Sequence, residues 1–154
     1  MTRHDQEFQV EYAYWLEHML NTFWRRVDAC INIALIVLGT SIAATLNIDI
    51  FIGLSVAILA AINVVIQPLR KAISADTQAN KYSEILATMH TLKDNELGNH
   101  IAALRETNSE QVGMLIPLAF NRAAIKMQMT PNYEYTLVNR AAGHFIGDTP
   151  TNKV

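Results

Sequence analysis

Two charge-free apolar runs, residues 29–46 (ACINIALIVLGTSIAATL) and 50–66 (IFIGLSVAILAAINVVI), stand three residues apart in this chain. At ~1.5 Å of rise per residue, each run makes a helix of roughly 25–27 Å, close to the hydrocarbon thickness of a bilayer. A buried helical hairpin in a water-soluble core would also use such runs, but a core helix of that length rarely lacks charge on every face. The runs therefore read as a transmembrane hairpin that turns at Asn47-Ile48-Asp49. Arg25 and Arg26 precede the first run, Arg70 and Lys71 follow the second, and the turn carries only Asp49. Positive residues stay on the cytoplasmic side, which places both termini in the cytoplasm and the turn outside. Trp24, with Trp15 and Tyr14 upstream, suits the interfacial aromatic belt. The first run starts too late, and is followed too closely by a second span, for a secretory signal.

Folding the hairpin about Ile48 puts residues equally distant from it at similar depth. Asn32, Ile36, Gly39 and Ala43 then share one face of the first helix, and Gly53, Ala57, Ala60 and Val64 one face of the second. Small residues let backbones approach where lipid supplies no hydrophobic drive, so these faces are the expected seam. Asn32 and Asn63 fall at nearly one depth near the cytoplasmic end, and an amide in hydrocarbon needs a partner. Ser41, Thr45 and Ser55 lie on the far side. They form either a subunit or pore face, or hydroxyls bonded to their own helix backbone.

Upstream, residues 1–28 read as an amphipathic helix. Phe8, Tyr12, Trp15, Met19 and Phe23 recur at spacings of three and four, with Glu7, Glu11 and Glu17 mostly off that stripe. No Gly or Pro separates this helix from the first span. The stripe packs either on the membrane surface or, as the scarcity of lysine on the polar face favours, against the helix that follows the hairpin. That helix starts at Pro68 and runs to about Lys93, with Leu69, Ile73, Tyr82, Ile85, Met89 and Leu92 as its main apolar positions. Residues 67–130 form the cytosolic helical region. It includes a short helix over 97–105 and an apolar segment, 111–129, interrupted by Pro117 and too short before Asn121 for a third span. The tail, residues 131–154, holds one short helix near 133–142.

The chain offers no constellation of catalytic residues. It lacks a P-loop, HExxH and GxSxG, and its net charge of −2 gives no case for nucleic acid. His90, Asp94, Glu96 and His100 match no standard ligand spacing and read as a solvated polar corner, so neither metal nor cofactor is expected. The only cysteine, Cys30, lies inside the first run. The expectation is an all-α membrane protein that is not an enzyme.

An aromatic N-terminal helix runs into two close spans and then into cytosolic helices. Trp24-Arg25-Arg26-Val27-Asp28 enters the first span, Leu38-Gly39-Thr40-Ser41 lies within it, and Leu118-Ala119-Phe120-Asn121-Arg122-Ala123 falls in a late helix. This layout resembles, over roughly residues 10–130, the SLATT domain, a two-transmembrane effector module of bacterial nucleotide-signalling and sensor systems. The resemblance implies a homo-oligomer in the bacterial inner membrane that forms a pore or perturbs the bilayer when a sensor fires, in an antiphage-defence or phage setting. It implies no catalytic residue. With no sensor domain fused to this chain, it implies, besides lipid and further copies of the chain, either a separate cytosolic sensor partner or a phage or mobile-element version with another use. The stripe Phe8/Tyr12/Trp15/Met19/Phe23 is then the expected oligomerisation surface. The alternative is a non-conducting, membrane-anchored scaffold or exclusion factor that recruits a partner through its cytosolic helices.

Overall fold

A computed structural model describes residues 2–44 and 50–150, and every regular element among them is helical. The first helix, α1, spans Arg3–Ala44, 42 residues without a break. No glycine or proline precedes Gly39, so nothing interrupts the backbone ladder between the amphipathic stretch and the first apolar run. The second, α2 (Ile50–Ile66), is joined by the single residue Gln67 to α3 (Pro68–Thr88). Gln67 has φ 49° and ψ 56°, a left-handed conformation that a non-glycine residue adopts at a cost of about 1–3 kcal/mol. Pro68 then occupies the first turn of α3, where its missing N–H costs nothing.

α3 runs antiparallel along α1. Arg3 Nη1 donates to Leu92 O at 3.0 Å, Asn21 Nδ2 donates to Asp76 Oδ1 at 2.7 Å, and Lys71 Nζ sits 4.8 Å from the Trp24 ring centroid. Val10 meets Tyr82, Ile85 and Met89 in one core cluster. The face that α1 turns to the returning chain therefore repeats every three or four residues, through Val10, Glu17, Asn21 and Trp24, the spacing of a coiled-coil seam. On α3 the matching residues are Ala72, Ala75, Ala79 and Tyr82. Leu69 and Ile73, expected inside, are 47% and 53% exposed. Alanine at the seam brings the two backbones close, and the larger side chains are left outside.

The remaining helices complete the base. A 3₁₀ turn, Met89–Thr91, leads to α4 (Asp94–Arg105), which starts where Glu96 accepts from the Lys93 N–H at 3.0 Å. Leu97 and Ile101 of α4 close the cluster around Tyr82. A second 3₁₀ turn, Gly113–Leu115, precedes α5 (Ile116–Lys126). Pro117 lies in the first turn of α5 and starts that helix instead of interrupting it. The last helix, α6, covers Leu137–Ile146, later than the expected 133–142, because Thr136 and Asn139 form a capping box at its start.

Helices α5 and α6 cover the aromatic stripe of α1. Phe8 and Tyr12 lie edge-on to Phe120 at centroid distances of 5.0 and 6.2 Å, and Phe23 to Phe145 at 5.6 Å. Met19 is buried with Leu115 and Leu118, and the Arg122 guanidinium lies 5.5 Å from the Trp15 ring. The stripe expected to join subunits is thus used within one chain. Periodicity establishes that a stripe is covered, not by what, and residues 116–146 supply the cover.

Candidate functional site

The upper part of α1 and α2 form the second half of the antiparallel pair. Ile31, Ala34, Leu35 and Leu38 face Ile52, Val56, Leu59, Asn63 and Ile66, which are the more buried positions of the two helices. This corrects the expected seam. Asn32, Ile36 and Gly39 face outward, as do Ala57, Ala60 and Val64; Ile36 is 65% exposed and Val64 71%. Among the described residues, a Cβ added to Gly39 or Gly53 would meet nothing within 4 Å. The reason lies in the base: Val10, Glu17, Asn21 and Trp24 fix the rotation of one unbroken helix, and the 3.5-residue repeat carries that phase to Ile31 and Leu38. In an antiparallel pair this phase brings the small-residue faces of both helices to the same open side. The side chains of Ser41 and Ala43, all of Thr45 and the turn at 47–49 lie outside the described residues. Ser55 is exposed, and its hydroxyl donates to the Phe51 carbonyl at 2.8 Å.

At the base of the hairpin, all four flanking cations have partners. Arg25 Nε donates to Asn21 Oδ1 at 2.7 Å and its Nη2 lies 3.9 Å from Asp76. Arg26 donates to the Phe145 carbonyl. Lys71 pairs with Glu110 at 2.9 Å beneath Trp24, and Arg70 Nη1 donates to Gln67 Oε1 at 3.2 Å. Asn32 and Asn63 do line one pocket of about 550 Å³, as equal depth requires. Asn32 Nδ2, however, donates to Asp28 Oδ2 at 2.9 Å, one turn back on its own helix, and not to Asn63.

A polar cluster that sequence periodicity missed sits between α1, α3 and the loop after α4. Glu17 is 2% exposed, and its Oε1 accepts from the Ser109 N–H at 2.9 Å. Burial pushes its carboxyl above the ordinary 4.5, opposed by the hydrogen bond from the Ser109 N–H. Gln78 donates to Leu104 O and to Asn108 Oδ1, and the Tyr82 hydroxyl donates to that same oxygen at 2.8 Å. Burial likewise raises the Tyr82 hydroxyl. Asn121 is buried and bonds both the N–H and the C=O of Tyr133. Nothing local to Thr107-Asn108-Ser109 shows that it supplies partners for residues far away in sequence.

Among the described residues, no group of three or more His, Cys, Asp or Glu side chains could hold a metal. Asp94 pairs with Arg3, and His100 lines a pocket of about 550 Å³ between α3 and α4 together with Lys81, Glu84 and Leu92. One helical stretch, Phe51–Thr91, is long and apolar enough to cross a membrane, and only 6% of its most apolar window is buried. The chain is thus an all-helical protein with one helix of membrane-spanning character among its described residues. No family model, no curated protein and no solved structure matches it.

Proposed function

We propose that this chain is a two-span protein of the bacterial inner membrane whose hairpins assemble with further copies into a pore or a membrane-perturbing structure. The observation that carries this reading is the open side of the hairpin. Gly39, Ala57 and Ala60 point away from the chain's own seam, with half-buried Gly53 at its edge, beside large exposed apolar residues such as Ile36 and Val64. In lipid, outward small residues give helices of separate chains their closest approach. The SLATT-like layout supports the same reading, with a separate cytosolic sensor acting on the base. Assembly then rests on the spans, because the aromatic stripe is occupied within the chain. The test is mass in nanodiscs together with dye leakage from liposomes. A closed oligomer that leaks dye is expected, and Gly53→Leu should lower both mass and leakage. A monodisperse monomer at micromolar concentration would remove the assembly. A second reading, an anchored scaffold, is favoured by the open pocket between α3 and α4 and by the exposed Leu137 and Val138; an oligomer that leaks nothing would select it.

A further inference from the structure

We infer that the pocket at the foot of the hairpin is a headgroup site for an amine-bearing zwitterionic phospholipid of the phosphatidylethanolamine type. The inference rests on the membrane-spanning reading. The pocket, about 550 Å³, lies where α1 and α2 leave the apolar runs and α3 begins, the depth at which headgroups sit. Its wall carries one carboxylate, Asp28, one guanidinium, Arg70, and the amides of Asn32, Asn63 and Gln67. Asp28 and Arg70 are not paired with each other: Asp28, on α1, accepts from Asn32 at 2.9 Å, and Arg70, on α3, donates to Gln67 at 3.2 Å. Two opposite charges held apart by their own neighbours fit a ligand that carries both. A primary ammonium donates to Asp28 and to an amide oxygen, and a phosphate accepts from Arg70. A quaternary ammonium has no N–H to donate, and a headgroup with phosphate alone brings no cation to Asp28. The rim is apolar. Val64, Leu69 and Ile73 are all exposed, although Leu69 and Ile73 belong to a helix whose other large apolar residues are mostly inside. Glycerol and the first methylenes of the acyl chains cover such a rim, and the chains leave past Val64 toward the bilayer. The left-handed Gln67 matters here, because it turns α3 so that Arg70 and Leu69 stand over the pocket.

The test is native mass spectrometry of the full chain released from nanodiscs of equal parts dioleoyl phosphatidylethanolamine, phosphatidylcholine and phosphatidylglycerol. Flotation on the same lipid as liposomes is measured alongside. Preferential retention of phosphatidylethanolamine is expected. Asp28→Asn and Arg70→Gln should each lower that preference about tenfold, the loss of one charged hydrogen bond, while Arg105→Gln, away from the pocket, should leave it unchanged. Equal retention of the three lipids, or a preference that survives both substitutions, overturns the site while flotation leaves the span intact. Failure to float overturns both. Binding of soluble phosphoethanolamine in detergent as tightly as the lipid would reassign the pocket to a free small molecule and overturn the lipid source.

Discussion

Glu17 combines near-complete burial with a carboxylate oxygen, Oε2, that has no hydrogen-bond partner, next to an equally unpartnered Ser109 hydroxyl. Its folded-state value lies above the ordinary 4.5. Below the ordinary value the carboxyl is neutral in both states and adds no pH dependence. As pH rises from there to the folded value, the unfolded chain releases the proton while the folded chain keeps it, so stability falls across that window and then levels off. Gln is neutral throughout and keeps an oxygen for the Ser109 N–H. The stability of Glu17→Gln relative to the parent should therefore climb with pH through that window, which thermal unfolding in detergent from pH 4 to 8 measures. A difference that stays flat would mean that Glu17 ionises alike in both states. Glu17 also marks what residue type hides. A glutamate off an apolar stripe reads as solvated, and only the far-off Ser109 N–H makes its burial tolerable.

The hairpin teaches the complementary lesson for elements. That the apolar runs are helical and that α3 starts at Pro68 was legible, because absence of charge and proline position are local properties. The seam was not. In the hairpin Gly39, Ala57 and Ala60 are exposed while Leu35, Leu38, Val56 and Leu59 are half-buried, and in the base the order is reversed, with Ala72, Ala75 and Ala79 inside. Rotation of a helix is set wherever it packs most tightly, and for α1 that place is residues 10–24, outside the hairpin. Leu59→Ala should therefore destabilise the isolated chain by about 1–2 kcal/mol, below the 2–5 of a fully enclosed site, whereas Gly39→Leu should leave it unchanged. Chemical denaturation of the monomer in detergent separates the two. Equal effects would return the seam to the glycine faces. The boundary of α6 slipped for a different reason: its start is a capping box of Thr136 and Asn139, which outweighs the apolar residues before it.

For the molecule as a whole, the placement of Arg25, Arg26, Arg70 and Lys71 predicts opposite signals from topology reporters fused at residue 154 and inserted at residue 48, the C-terminal one cytoplasmic. A periplasmic signal from the C-terminal fusion would mean that these cations serve only their partners in the base. The two arms that rise from that base are mechanically unequal. α1 is one unbroken rod of 42 residues, about 63 Å at ~1.5 Å per residue, gripped along its lower half by α3, α5 and α6. The returning arm is jointed at Gln67. A torque applied to the base is therefore passed up α1 along a continuous hydrogen-bonded backbone, while on the returning arm it meets the Gln67 joint first. Any event that repacks the helices of the base would register between the two arms as a slip of one against the other, with no change in the secondary structure of either.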